Sequence, residues 1–215
     1  LKTIANIRKV HIYLKFNGPS SPAQSILAGA NFHTHELRVL NRLAGIGIST
    51  TLAMTVVREN LGDLWKVALL GMSCPVVKGV NYQPRFGGGR IEGEFSLVDS
   101  GHAINHMIHQ ANGALNENSI FPLPCGDPNC QHIGWINRET IACMVKDMPL
   151  EQRVPLTAFL ADRINYDPGD VHSCGCETTD AGSIHVSMED ALNAFRISIK
   201  PFMTFGGSAH NWSCS

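Results

Sequence analysis

The sequence predicts an α/β fold, with a parallel sheet in the first half and a small cysteine-containing α+β region after it. Three observations predict this. Apolar, β-branched runs alternate with stretches of helical spacing from Val10 to Tyr82. Each run stops at glycine, proline or asparagine. From Ser119 onward the chain breaks into short, punctuated segments around the turn FPLPCGDPNC, Phe121 to Cys130.

VHIYLKF, Val10 to Phe16, alternates apolar and polar side chains and stops at Asn17-Gly18-Pro19, which predicts a strand and a loop. Thr34 to Ala44 places Leu37, Leu40 and Leu43 at helical spacing, with Gly45 and Gly47 as the stop. Ile48 to Val57 is a second strand and Leu61 to Leu70 a second helix. Val76 to Tyr82 is a third strand, ending at Gln83-Pro84. Parallel sheets carry their ligand chemistry at the carboxyl ends of strands, here Lys15 to Gly18, Thr55 to Arg58 and Asn81 to Arg85.

The glycine-rich RFGGGRIEGEF that follows has no Lys-Ser/Thr and does not open a helix directly after a strand, so it is a linker and not a phosphate loop. Ser100 is the predicted N-cap of a helix through Gln110, closed by Gly113. His102, His106 and His109 share one face of it, which reads as a solvated face because no glutamate base or thiolate accompanies them. Beyond the cysteine turn come a strand or hairpin through Ile133 to Val145, then VPLTAFLADRINY. A short helix from Met188 to Ala194, capped by Ser187, leads into the strand-like run RISIKPFM.

Composition excludes several function classes. The chain has 215 residues and a net charge of −1, with no basic block, so nucleic acid is not an expected partner. No apolar run approaches the roughly 18 residues that span a bilayer, and no signal peptide is recognisable, which predicts a cytoplasmic protein. Seven cysteines in such a chain point to metal binding or reduced thiols more than to a disulfide framework. Cys74, beside Pro75, reads as a small buried hydrophobe.

Cys125 and Cys130 enclose Gly-Asp-Pro-Asn, a tetrapeptide that turns the chain back and directs both sulfurs to one centre. Two thiolates are half of a zinc or iron–sulfur site. The other half must come from Cys174, Cys176 or Cys214, and less favourably from His132, Cys143 or His172. Cys125, Cys130, Cys174 and Cys176 would suffice for tetrahedral zinc in a non-catalytic binding module.

In order, IYLKFNG, GISTTLAMTVVR, VVKGVNYQPRFGGGR, FPLPCGDPNC and RISIKPFM resemble the later part of radical S-adenosylmethionine enzymes related to archaeal tetraether lipid synthase and the methanopterin-pathway pterin methylase. The resemblance spans Val10 to Met203. It implies the last three or so strands of a (β/α) barrel over residues 1–95, a connecting helix over 96–117 and an auxiliary iron–sulfur domain over 118–215. It further implies S-adenosylmethionine and an auxiliary [4Fe-4S] cluster as cofactors, and a ferredoxin- or flavodoxin-like reductant. The implied reaction is hydrogen abstraction by a 5′-deoxyadenosyl radical from an inert C–H bond of a lipid or pterin-like substrate, followed by methylation or carbon–carbon coupling. Membrane contact is implied only through a lipid substrate.

By the same resemblance Lys15, Asn17, Thr55, Arg58, Gln83 and Arg90 are cofactor contacts, and Cys125, Cys130, Cys176 and Cys214 are cluster ligands. Lys15 and Asn17 stand where Gln and Asp are common in the family. The Cys-x3-Cys-x2-Cys loop that holds the catalytic cluster is not in this sequence. The expectation is a truncated chain, or a degenerate paralogue, in which that loop and the first three strands would precede Leu1; alone it would be inactive.

Overall fold

In a computed structural model, described for residues 10–85, 98–122, 131–164 and 188–200, VHIYLKF forms strand β1 (His11–Lys15). Two helices follow, α1 (Ser21–Ala28) and α2 (His33–Gly45), and then strand β2 (Ser49–Val56). A 3₁₀ turn (Arg58–Asp63) leads into helix α3 (Leu64–Ser73) and strand β3 (Val77–Pro84). Helix α4 (Ser100–Gln110) precedes the short strands β4 (Phe121–Pro122), β5 (His132–Asn137) and β6 (Ala142–Cys143). Helices α5 (Leu150–Ile164) and α6 (Met188–Leu192) lead to strand β7 (Ala194–Ile199).

The seven strands form one sheet in the order β1-β2-β3-β7-β5-β4, with β6 beside β5. β1, β2, β3 and β7 run parallel, and β5 is antiparallel to β7, β4 and β6. The α/β class is thus as the sequence predicts. The parallel array has four strands and not three, because RISIK pairs alongside β3. Among the described residues the sheet is an open path from β1 to β4 and not a closed barrel.

Strand register sorts the side chains into two faces, because neighbouring positions point to opposite sides. Leu14, Leu52, Val80 and Ile197 lie side by side in one row, and Met54, Tyr82 and Ile199 in another on the same face. Apart from half-buried Leu14, all of these are buried. Helix α3 packs on this face: the Tyr82 hydroxyl donates to the Leu64 carbonyl at 2.7 Å, and the Phe195 ring lies against Gly71. Each fully buried side chain here is worth about 1.5–3 kcal/mol. The opposite face carries Lys15, Ala53, Asn81 and Ser198 in one row and Thr55 and Gln83 in the next. At its β5 end that face is covered by α5, where the buried Trp135 indole donates to Thr157 Oγ1 at 3.0 Å.

Arg138, just after β5, ties the hairpin to the parallel layer. Its guanidinium donates to the carbonyls of Met72 and Cys74, each at 3.0 Å, and to that of Val77, and sits 5.5 Å from the centre of the Phe195 ring. These contacts satisfy carbonyls around the end of α3, which have no partner within the helix.

Several local features differ from the sequence reading. The N-cap of α4 is Asp99, whose carboxylate accepts from the His102 N–H at 2.7 Å, while the Ser100 hydroxyl donates to the Lys200 carbonyl at 3.1 Å. The hydroxyl is engaged by tertiary structure, and the adjacent carboxylate is an equally good cap. The loop expected after Asn17 contains α1, capped by Ser20 with proline in its first turn. VPLTAFLADRI, 154–164, belongs to α5, which continues through Pro155. The expected cap Ser187 lies outside the described residues.

Gly79 permits the β3–β7 pairing. A Cβ added there would lie 2.4 Å from the Arg196 carbonyl oxygen and 2.9 Å from its Cβ, and backbone cannot give way as a flexible side chain can. Gly79→Ala should therefore cost about 3 kcal/mol by urea denaturation, whereas Gly45→Ala, with nothing within 4 Å, should cost nothing. Equal stability of the two variants would refute this role for Gly79.

Candidate functional site at the carboxyl ends of the parallel strands

Where β1 ends, Asn17 is fully buried and surrounded by polar partners. Its backbone N–H donates to Glu36 Oε1 at 3.2 Å, and its side-chain oxygen accepts from the Thr55 N–H at 3.3 Å. Its carbonyl accepts from Asn60 Nδ2 at 3.3 Å. The same Asn60 amide nitrogen donates to the Thr55 carbonyl at 2.9 Å, and Asn60 Oδ1 accepts from the Val57 N–H at 2.9 Å. Gln24 Nε2 joins the Gly18 carbonyl at 3.0 Å to Glu36 Oε2 at 2.8 Å. Four buried polar side chains, from α1, α2, the β1 loop and the 3₁₀ turn, thus clamp the ends of β1 and β2 together. A buried carboxylate such as Glu36 is tolerated only with donors of this kind around it.

Register places Gln83 of β3 beside Thr55 of β2, so Asn17, Thr55 and Gln83 form one polar edge. Asn81 lies one row below them on the same face. It is 1% exposed, and neither its side-chain oxygen nor its nitrogen has a partner among the described residues. Asn17 Nδ2 is likewise buried without a partner. Next to Asn81 in the row, the Ser198 hydroxyl accepts from Gln131 Nε2 at 2.6 Å. Around Asn81 and the ends of β2 and β3 the face therefore presents neutral amide and hydroxyl groups, suited to the hydroxyl and amine groups of a ligand.

Two of the other expected contacts stand elsewhere. Lys15 is exposed, its Nζ donating to the Leu27 carbonyl at 3.4 Å. Arg58 is exposed at the start of the 3₁₀ turn and lines a separate cleft with Leu61, Gly62, Val98, His102 and His106. His102, His106 and His109 are all exposed, as expected of a solvated face. Arg90, Cys125, Cys130, Cys174, Cys176, Cys214 and His172 lie outside the described residues.

Among the described residues no three His, Cys, Asp or Glu side chains come together as a metal site. Cys143 is buried in the hairpin, its sulfur accepting from the Val145 N–H at 3.4 Å, and Cys74 is half-buried after α3; both are free thiols. His132 opens β5, where burial holds its pKa below the ordinary histidine value, and its Nδ1 has no partner among the described residues. Strand pairing fixes where the chain bearing Cys125 and Cys130 leaves and rejoins the sheet. Pro122 pairs with His132, and His132 pairs with Ile199, the last residue of β7. Because β7 is parallel to β1, β2 and β3, that point is on the same edge as Asn17, Thr55 and Gln83.

The sequence reading missed Gln24, Glu36 and Asn60, whose role depends on which helix face meets which strand end. It also missed His11, at the other end of the polar face. The two ring nitrogens of His11 lie 2.8 Å from Ser49 Oγ and 2.8 Å from Thr51 Oγ1. Burial, and then the nearby charges of Arg196 and Lys78, lower its pKa.

No family model matches the chain, and no curated protein matches it. No helix among the described residues is long and apolar enough to cross a membrane.

Two outcomes are expected. Asn60→Ala removes two buried hydrogen bonds and one part-buried one and strands their partners, so its urea midpoint should fall by the equivalent of about 2–4 kcal/mol. His11 is harder to protonate folded than unfolded, so its contribution to stability is complete above about pH 6.5 and is lost as pH falls below that value. His11→Gln should therefore flatten the decline in stability from pH 7.5 to pH 5; an unchanged slope would exclude His11 as a source of it.

Proposed function

We propose that the chain forms part of a radical S-adenosylmethionine enzyme, supplying later strands of its barrel and a site for an auxiliary iron–sulfur cluster. The observation that carries this reading is the common edge of the sheet. The polar ends of β1, β2 and β3 and the root of the Cys125–Cys130 turn meet there, while the apolar face packs under helices. A barrel enzyme needs this asymmetry, with a packed outside and a polar inside at the carboxyl ends of its strands.

On this reading Asn17, Thr55 and Gln83 face the cofactor. The amide nitrogen of Asn17 and both polar atoms of Asn81, buried and without partners among the described residues, offer hydrogen bonds that a ribose or amine can complete. The clamp of Gln24, Glu36 and Asn60 orients Asn17 and holds the ends of β1 and β2 in register. Cys125 and Cys130 would hold the auxiliary cluster, with Cys176 and Cys214 to complete it. The cluster supplies electron transfer or substrate anchoring. The reaction class is hydrogen abstraction from an unactivated carbon of a lipid or pterin-like substrate, with electrons from a ferredoxin- or flavodoxin-like donor.

Anaerobic reconstitution with iron and sulfide should give a brown protein with about four irons per chain, and Cys125→Ala should lose most of them. Thr55→Val and Gln83→Leu should each weaken S-adenosylmethionine binding about tenfold in equilibrium dialysis, the worth of one good hydrogen bond. One tightly held zinc and no iron in the anaerobic preparation would instead identify the zinc module of Cys125, Cys130, Cys174 and Cys176, and would overturn this assignment.

A further inference from the structure

The cleft around Arg58 has a chemistry of its own. It measures about 380 Å³ and is lined, among the described residues, by Arg58, Leu61, Gly62, Val98, His102 and His106. None of Asn17, Thr55, Asn81 or Gln83 contributes to it, so it is distinct from the polar sheet face. Its volume lies in the range of small-ligand sites and exceeds what a bare ion fills.

Among the described residues lining the cleft, Arg58 carries the one full charge, and no carboxylate lines it. Among the described residues the Arg58 guanidinium has no hydrogen-bond or ion-pair partner. The acidic groups close in sequence are mostly engaged. Asp63 pairs with Lys66 at 2.9 Å, and Asp99 accepts from the His102 backbone N–H at 2.7 Å and lies 2.9 Å from its ring nitrogen Nδ1. Glu59, the other acid near Arg58 among the described residues, does not line the cleft. Holding Asp99 in place also fixes the His102 ring, which turns its other nitrogen, Nε2, away from the carboxylate. His106, one helical turn on, lines the same wall.

We propose that this cleft binds a phosphate-type oxyanion borne by a small organic molecule. Arg58 is the fork that receives the oxyanion, a geometry that guanidinium matches better than ammonium. His102 and His106 donate from the facing helix, and Leu61 and Val98 provide apolar surface for the organic part of the ligand. The inference is independent of the iron–sulfur assignment, because it uses neither the cysteines nor the polar sheet face.

The test is titration of the full chain with sodium sulfate at constant ionic strength, followed by calorimetry and by the imidazole NMR signals of His102 and His106. Sulfate should saturate with a millimolar dissociation constant, and glycerol 1-phosphate should bind about tenfold more tightly because its carbon chain occupies the rest of the cleft. Arg58→Gln should weaken both by at least about tenfold with signal dispersion unchanged, and Arg58→Lys should recover part of the loss. Arg42→Gln, an exposed arginine on α2, should change neither. Sedimentation of the chain with phosphatidic acid vesicles, lost in Arg58→Gln, would identify the source as a lipid headgroup; binding to soluble glycerol phosphate alone would identify a free metabolite. Identical sulfate curves for Arg58→Gln and the parent would show an adventitious ion only and overturn the proposal. Displacement of sulfate by S-adenosylmethionine would also overturn it, by making the cleft part of the cofactor site.

Discussion

The pairing of β7 with β3 is the constraint on which the rest of the structure depends. It requires Gly79, since any side chain there would collide with the backbone of Arg196. Once β7 lies against β3, its free edge receives β5, and β5 brings β4, β6 and Arg138 with it. Arg138 then reaches across to carbonyls around the end of α3. A single missing Cβ therefore links the parallel half of the sheet to the antiparallel half, and places Pro122 and His132, which flank the segment bearing Cys125 and Cys130, beside the polar strand ends.

The second constraint is the buried polar clamp around Asn17. Burying Asn17, Gln24, Glu36 and Asn60 would cost several kcal/mol if they lacked partners. Their mutual hydrogen bonds offset that cost and leave a specific geometry, because an amide and a carboxylate accept partners in few directions. Asn17 Nδ2 and both polar atoms of Asn81, without a partner among the described residues, fall on the face assigned above to a ligand, while Gln24 Oε1 within the clamp also lacks one there. In folded proteins such atoms are completed by ordered water or by a bound ligand.

Local pattern made much of the fold legible. The alternation in VHIYLKF, the leucine spacing of α2 and the β-branched runs of β2 and β3 report their own structure, since each buries one face. Pairing across the chain was not legible: nothing in RISIK says that it lies between β3 and β5. Helix α1 escaped notice because its start signals, Ser20 and Pro22, sit inside a run that also reads as a loop. Of the expected contacts, the strand-end rule brought Asn17, Thr55 and Gln83 together, while Lys15, the last residue of β1, reaches out to the Leu27 carbonyl and Arg58 opens the 3₁₀ turn. Glu36 and Asn60 could not be foreseen, because their chemistry exists only once α2 and the 3₁₀ turn meet the ends of the strands.

The position of β7 has a consequence for synthesis on the ribosome. β3 and its partner are separated by about half the chain, so β1, β2 and β3 emerge with one long, apolar strand edge uncovered. That edge waits while α4, the hairpin and α5 are made, and during this interval it is a template for pairing with another nascent chain. Parallel pairing of distant segments is also slow, since the loop must close before any contact rewards it. The nascent chain is therefore most in need of a chaperone after residue 85 has emerged and before β7 has docked.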